Sequence, residues 1–172
     1  NIKLMDTRKF AMNYGAVLGS FLVLISLLFW ALSIKQNTSA FILNSLIIIV
    51  FLIYAIIQFR DNINQGCISY SLSLKLGTSI SFFSSVIMAF YTLVYVTYLD
   101  SEYIAEILNM TEQSILQQSP EISDENLDGI MGIYGKLMQP HWLMIMGVLE
   151  GTFLGFFFSL ILSSFLKKTD AK

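Results

Sequence analysis

Residues 41–59 read FILNSLIIIVFLIYAIIQF, an apolar run that holds no charged side chain. The nearest charged residues on either side are Lys35 and Arg60. A helix needs about 20 consecutive apolar residues to cross the hydrocarbon core of a bilayer, because it rises about 1.5 Å per residue. This stretch therefore predicts a transmembrane helix.

The same pattern occurs three more times along the chain. The other uncharged gaps are residues 10–34, 76–99 and 137–166, the last interrupted only by Glu150. A helical bundle in a water-soluble protein would show polar outer faces, which these runs lack. We predict an all-α polytopic membrane protein, a single four-helix transmembrane domain over residues 1–172, with spans at about 12–34, 39–59, 76–99 and 140–166.

The composition supports a membrane protein and excludes several other classes. Only 13% of the residues are charged and the mean hydropathy is +0.68, whereas soluble domains average about 25% charged residues. The net charge of -2 argues against a nucleic-acid partner, because such proteins neutralise phosphates with excess Lys and Arg. The single cysteine, Cys67, excludes a disulfide scaffold and a multi-thiolate metal site.

Sequence motifs for catalysis are absent. The sequence contains no HExxH, GxSxG, P-loop or GxGxxG pattern. We therefore expect a protein that is not an enzyme, binds no cofactor or metal, and has membrane lipids as its surroundings.

The segment at about 101–138 is the largest piece outside the predicted spans. Its apolar residues recur at helical spacing on both sides of Ser119-Pro120, and Ser123 is suited to cap the second helix. We predict a helical hairpin whose two helices continue the neighbouring spans. Its apolar faces either cover each other, or one of them docks a partner or lies on the membrane surface.

The basic residues predict the orientation. An even number of spans places both termini and the loop after span 2 on one side, and eight of the ten Lys and Arg residues fall there. These eight are Lys3, Arg8, Lys9, Arg60, Lys75, Lys167, Lys168 and Lys172; Lys35 and Lys136 fall on the other side. The positive-inside rule then predicts that both termini are cytoplasmic and that the hairpin lies on the opposite side.

Glu150 is the one Asp, Glu, Lys or Arg residue within the predicted spans. It lies ten residues after Pro140, which places it about 15 Å deep. A charged carboxylate at that depth costs at least ~2.5 kcal/mol, so we expect Glu150 to face the bundle. The polar groups expected around it are Ser85, Tyr91, Ser26 and, at the outer mouth of span 4, His141. Either this site is a hydrogen-bonded structural feature, or it handles protons or a polar solute.

Small residues recur every four positions in spans 3 and 4. Span 3 has Gly77, Ser81, Ser85 and Ala89; span 4 has Gly147, Gly151, Gly155, Ser159 and Ser163; span 1 has the shorter series Ala11, Gly15 and Gly19. Such stripes let helices pack closely in lipid. Counting inward from residues 99 and 140 predicts the pairs Ala89–Gly151, Ser85–Gly155, Ser81–Ser159 and Gly77–Ser163. The competing hypothesis is that one stripe faces outward and binds a second protein.

Several soft motifs resemble one family. They are the loop Asn64-Gln65-Gly66-Cys67-Ile68-Ser69-Tyr70-Ser71 leading into Lys75-Leu76-Gly77, the residues Tyr91 and Tyr95, the acidic hairpin, and a glycine-rich span 4 closed by Leu166-Lys167-Lys168. Over nearly the whole chain they resemble the bacterial inner-membrane family called domain of unknown function 4199. The resemblance implies four spans in the bacterial cytoplasmic membrane, hence a periplasmic hairpin, and it implies no catalytic residues.

Two functions stay open at this point. The first is an accessory or scaffold subunit that binds another integral membrane protein or self-associates. The second is a small transporter or channel for protons or a small solute, which uses Glu150 in a dimeric pathway.

The predicted orientation is open to a labelling test. A membrane-impermeant thiol reagent should label Cys67 only after the cells are opened, because the loop after span 2 is predicted to be cytoplasmic. In a Cys67→Ser background, a cysteine introduced at Ser119 should be labelled on intact cells. Labelling of the Ser119 position only after lysis would contradict this orientation.

Overall fold

The protein is a chain of helices in the computed structural model, which describes residues 2–32, 34 and 38–168. The helices are α1 (Ile2–Ala31), α2 (Thr38–Asn62), α3 (Tyr70–Val94), a π-helix (Tyr95–Leu99), α4 (Tyr103–Gln118), α5 (Asp124–Leu137) and α6 (Pro140–Leu166). The described residues form no strand. Lys35 and Lys172, which enter the orientation count, lie outside the described residues.

Four of these helices are long and apolar enough to cross a membrane. They cover Thr7–Ala31, Ala40–Asn62, Tyr70–Leu99 and Pro140–Leu166. The prediction of an all-helical, multi-pass membrane protein is confirmed. The third helix begins at Tyr70, six residues before the predicted span, where the Ser69 hydroxyl accepts a hydrogen bond from the backbone N–H of Leu72 at 3.3 Å. Lys75 ends the apolar run without ending the helix, because lysine is a good helix former.

The hairpin helices are separate from the spans, so the prediction of continuous helices is wrong. On one side, the π-helix ends at Leu99, where the backbone N–H of Asp100 donates to Tyr95 O at 2.9 Å, and α4 begins at Tyr103. On the other side, α5 ends at Leu137 and α6 begins at Pro140. Proline favours the first turn of a helix and disfavours helical backbone in the residue before it, so the break falls there.

Contacts between backbone segments divide the chain into two compact units. One unit contains Asn1–Met88 and Gly147–Lys172, and the other contains Ala89–Met146. The first therefore holds α1, α2 and most of α3 and α6. The second holds the π-helix and the α4–α5 hairpin.

Within the first unit, α3 and α6 approach each other through glycine and serine. A Cβ added to Gly151 would lie 2.7 Å from Ser85 Cβ. One added to Gly155 would overlap the Ser81 side chain. One added to Gly77 would overlap the Ser159 side chain. One turn further along, the Ser163 hydroxyl donates to the Ser73 hydroxyl at 3.0 Å. The two helices therefore pack at backbone distance over four successive turns.

The loop before α3 continues this pairing outside the helices. The backbone N–H of Ile68 donates to Lys168 O at 2.7 Å, and the N–H of Lys168 donates to Ile68 O at 2.9 Å. This pair keeps the antiparallel register of the Ser73–Ser163 pair. Ile68 lies five residues before Ser73, and Lys168 lies five residues after Ser163. The Ile68 side chain is 1% exposed, so this bridge also closes the end of the core.

The predicted register between spans 3 and 4 is wrong by one helical turn. The structure pairs Ser85 with Gly151 and Ser81 with Gly155, whereas equal depth predicts Ser85 with Gly155. A stripe that repeats every four residues brings small residues opposite small residues again when it slides by four. Depth counting therefore cannot select among these registers, and the Ile68–Lys168 bridge and the Ser73–Ser163 hydrogen bond lie in only one of them.

Two hydroxyls at this interface are unusual. Ser81 and Ser159 are buried, and neither hydroxyl has a hydrogen-bond partner within the described residues. Each oxygen lies where a facing glycine would carry its Cβ, which is against a hydrogen on that glycine's Cα. Cα–H···O contacts of this kind recur at helix–helix interfaces and are weakly favourable. The two contacts are reciprocal, since the serine is on α3 in one and on α6 in the other.

The first helix packs on another face of α3. A Cβ added to Gly15 would lie 2.7 Å from Ile80 O, and one added to Gly19 would lie 3.0 Å from Ser84 O. The contacts advance along both helices together, so α1 and α3 are parallel. Glycine is required at Gly15 because the added atom would meet backbone, which cannot move aside.

The remaining core of the first unit comes from α2. Four residues of α2 are almost fully buried, and Phe59 meets Phe10 of α1 edge to face with ring centroids 5.1 Å apart. The buried residues of this apolar cluster are Ala11, Leu18, Leu22, Leu52, Ala55, Ile56, Phe59, Ile68, Leu76 and Ile80. Large side chains thus fill the side of the bundle around α2, while small ones bring α3 and α6 together.

The exchange of a glycine–serine pair tests this interface. Gly155→Ser should lower stability by about 1–3 kcal/mol, because the added atoms overlap Ser81. The double variant Ser81→Gly/Gly155→Ser should recover most of the loss, because it reproduces the arrangement that Gly77 and Ser159 already have. Thermal unfolding in mild detergent, followed by tryptophan fluorescence, measures both effects.

The matched control is Gly147→Ser on the same helix. A Cβ added to Gly147 meets nothing within 4 Å, so this variant should stay within about 0.5 kcal/mol of the parent. Equal losses from Gly147→Ser and Gly155→Ser would contradict the observed packing.

Candidate functional site

Glu150 lies on the outside of α6, and the prediction that it faces the bundle is wrong. Its side chain is exposed, and it forms no hydrogen bond or ion pair within the part of the chain that the structure describes. The reason is helix geometry. Successive residues point about 100° apart, and Gly151, the next residue, faces α3. Glu150 therefore cannot face α3 as well.

The polar groups predicted around Glu150 in the first unit have other neighbours. The Ser85 hydroxyl donates to Phe82 O at 2.9 Å and lies 3.3 Å from the Thr152 hydroxyl oxygen. Thr152 in turn donates to Val148 O at 2.6 Å. Ser26 is buried, with 6% of its surface exposed. These hydroxyls belong to helix packing, and none forms a hydrogen bond with Glu150.

Tyr91 and His141 belong to the second unit. The Tyr91 ring lies 5.9 Å from that of Tyr95, and its hydroxyl is buried without a hydrogen-bond partner among the described residues. His141 is exposed, with its ring 5.8 Å from that of Trp142. The predicted polar site around Glu150 therefore stays a prediction for these two residues.

The residues next to Glu150 along the helix form a distinct surface. Phe153 and Phe157 are 61% and 50% exposed, and their rings meet edge to face at 5.1 Å. Gly147 lies one turn before Glu150 and leaves open space where a Cβ would stand. We call the surface formed by Gly147, Glu150, Phe153 and Phe157 the Glu150 face. It combines a carboxyl group, a notch in the helix and two exposed aromatic rings.

The position of Glu150 along α6 is unusual for a carboxyl group. Glu150 is ten residues from Pro140, where α6 begins, and sixteen from Leu166, where it ends. At about 1.5 Å per residue Glu150 lies about 15 Å along the helix from Pro140, and the hydrocarbon core of a bilayer is ~30 Å thick. Ionisable residues at such depth almost always face a protein interior or a water-filled cavity and pair with another polar group.

A groove between α1 and α2 in the first unit exposes no polar surface. It has a volume of 470 Å³ and is lined by Phe21, Leu46, Ile47, Val50, Phe51 and Tyr54 of α1 and α2. Glu150 is not among the lining residues. The groove has the chemistry of a surface that acyl chains cover, and it offers no binding group for a proton or a polar solute.

The two hairpin helices bury little of their apolar surface against each other. No residue of α4 or α5 is buried, and Ile133 is 61% exposed. The Tyr95 hydroxyl donates to Asp100 at 3.1 Å, and the ring of Tyr103 meets that of Tyr95 edge to face. Burial raises the pKa of Tyr103, and the negative charges of Asp100 and Glu106 raise it further. The apolar faces cover each other only in part, so both predictions for the hairpin stay open.

Metal binding finds no support in the described part of the chain. No group of three His, Cys, Asp or Glu side chains that could hold a metal ion occurs there. The expectation that the protein binds no metal or cofactor stays a prediction.

Comparison with known proteins gives a family and nothing further. The family model described as Protein of unknown function (DUF4199) matches residues 13–168. No curated protein and no solved structure matches the chain. The match confirms the family resemblance seen in the sequence, and it assigns no role to any residue.

The outward position of Glu150 predicts that substitutions there have little effect on stability. Glu150→Leu and Glu150→Gln should both leave stability within about 1 kcal/mol of the parent, because Glu150 makes no contact that the fold depends on. Gly151→Leu, one position further, should be strongly destabilising because it drives a large side chain into Ser85. Thermal unfolding in mild detergent compares the three. A large loss in Glu150→Leu would mean that the carboxyl faces inward after all.

Proposed function

This chain belongs to the family described as Protein of unknown function (DUF4199), and on that premise we propose that it is a non-enzymatic accessory subunit that binds another integral membrane protein. The Glu150 face of α6 is the binding surface. The single observation that carries the proposal is an exposed carboxyl ten residues into a helix that is long and apolar enough to cross a membrane.

The free energy of an unpartnered carboxyl in lipid supports this proposal. Placing a carboxylate among acyl chains costs at least ~2.5 kcal/mol, and hydrocarbon offers no hydrogen bond to offset that cost. Glutamate is too short to reach the headgroups from mid-depth, unlike the longer lysine and arginine side chains, which snorkel. A residue that faced only lipid would be Leu or Phe, as Leu149 and Phe153 are on the same helix. Glu150 is therefore explained by a second protein that covers it.

The distribution of the other polar groups supports a binding role over a catalytic one. The hydroxyls of Ser73, Ser85 and Ser163 are engaged between α3 and α6. Catalysis needs several groups that converge on one point, such as a nucleophile with its base or a bound metal. Glu150 stands without such neighbours among the described residues.

Transport of a proton or small solute is the competing function. It requires Glu150 to line a wet pathway, which a dimer would have to complete. The apolar groove between α1 and α2 supplies no part of such a pathway. Proton uptake by liposomes that contain this chain alone, lost in Glu150→Gln, would favour transport and contradict the accessory role.

Photo-crosslinking in native membranes tests the binding surface. A benzophenone amino acid placed at Phe153 or Phe157 should give one discrete adduct with another membrane protein, because both side chains flank Glu150. The same amino acid at Leu24, which is 58% exposed on α1, is the matched control and should give no discrete adduct.

The adduct from Phe153 should disappear when Glu150→Leu is added, although this variant folds. Equal adducts from Phe153 and Leu24, or an adduct with the mass of two copies of this 19.5 kDa chain, would contradict the proposal.

A further inference from the structure

We infer that the occupant of the Glu150 face is a transmembrane helix of another protein that carries a lysine or arginine at mid-depth, and that its cation pairs with the Glu150 carboxylate. This inference rests on the proposed function, because it names the chemistry of the subunit's partner. Three features of the face support it: the isolated charge, the two aromatic rings and the notch at Gly147.

The charges of the chain show that its partner is different from itself. The predicted spans contain no lysine or arginine, since the gaps 10–34, 36–59, 76–99 and 137–166 are free of them. A second copy packed through the same face would bring another Glu150 to the same depth. Two carboxylates at one site repel each other, so a second copy offers the Glu150 carboxylate no favourable partner. A cation at this depth therefore comes from another protein.

The aromatic rings favour a cation over a neutral polar group. Phe153 and Phe157 lie one and two turns after Glu150 on the exposed side of α6, with their rings edge to face. An ammonium or guanidinium group within about 6 Å of a ring face is attracted by the ring's π electrons, and more strongly where water is excluded. A lysine or arginine that reaches Glu150 passes beside these rings, whereas the neutral amide of a glutamine gains only a weak N–H···π contact from them.

The notch at Gly147 lets the partner helix come close. No heavy atom lies within 4 Å of the place where its Cβ would stand. Gly147 is one turn from Glu150, so a helix that packs against this point holds its side chain near the carboxylate. Gly151 and Gly155, by contrast, are already covered by α3. Gly147 is therefore the glycine of the α6 stripe that is left for an external helix.

The test uses purified protein in lipid vesicles with synthetic single-span peptides of leucine and alanine. The central residue of the peptide is lysine, glutamine, glutamate or leucine. A donor dye is attached at a cysteine introduced at Ser119 in the Cys67→Ser background, and an acceptor dye is attached to the peptide. Energy transfer should show at least tenfold tighter binding of the lysine peptide than of the glutamine or leucine peptide.

Charge reversal and relocation supply the matched variants. The Glu150→Lys variant should no longer bind the lysine peptide and should instead bind the glutamate peptide. The double variant Leu24→Glu/Glu150→Leu moves the carboxyl to the exposed side of α1, seven residues before that span ends at Ala31. It should bind the lysine peptide at least tenfold more weakly, because the moved carboxyl is away from Phe153, Phe157 and Gly147 and has only one exposed ring, Phe21, one turn from it.

The outcomes separate this inference from the accessory role. Equal binding of the lysine and glutamine peptides, or equal binding by the relocated variant, would overturn the cationic partner. If the lysine peptide does not bind while the Phe153 crosslink still forms in native membranes, the inference of a cationic partner is wrong and the accessory role is unaffected. Energy transfer between donor-labelled and acceptor-labelled copies without peptide, if it is lost in Glu150→Leu, would show self-association through the Glu150 face and overturn both.

Discussion

The close approach of α3 and α6 is the constraint on which the rest of this structure depends. Side chains no larger than serine separate the two backbones at four successive turns. In lipid no hydrophobic driving force brings helices together, so van der Waals contact and weak hydrogen bonds do it. A close approach of the two helices increases the van der Waals contact and allows the weak hydrogen bonds. The hydroxyls of Ser81 and Ser159 fit against facing glycines, which is possible only because each pair combines one serine with one glycine.

This packing also fixes what α6 shows to the outside. Once Gly151, Gly155 and Ser163 face α3, the opposite side of the helix carries Leu149, Glu150, Phe153 and Phe157. An amphipathic helix in water shows its polar residues to the solvent. In α6 the direction is reversed, because the small polar residues face α3 and the carboxyl lies on the outer surface of the bundle. The same packing that stabilises the bundle therefore places the Glu150 side chain outside it.

The α3 helix is the shared element of the first unit. It meets α6 through Gly77, Ser81 and Ser85, and it meets α1 through the backbone at Ile80 and Ser84. Both neighbours reach it through glycines, so its two sides tolerate little change in volume. The loop from Asn64 to Ser69 then joins α2 to α3, and its bridge from Ile68 to Lys168 ties the end of α6 to the same element. The register of α6 is thus held at a point outside the membrane.

Charge spacing and composition alone determined that this is a four-span, all-helical membrane protein, because the cost of burying charge in hydrocarbon leaves a direct trace in the sequence. The small-residue stripes were visible in the same way. Their register was not, because a four-residue repeat fits several registers equally well. Only the tertiary structure decided that Gly151 lies opposite Ser85 rather than Ala89, and that Glu150 lies on the outside of the bundle, since contacts with a neighbouring helix fix the position and rotation of an apolar helix.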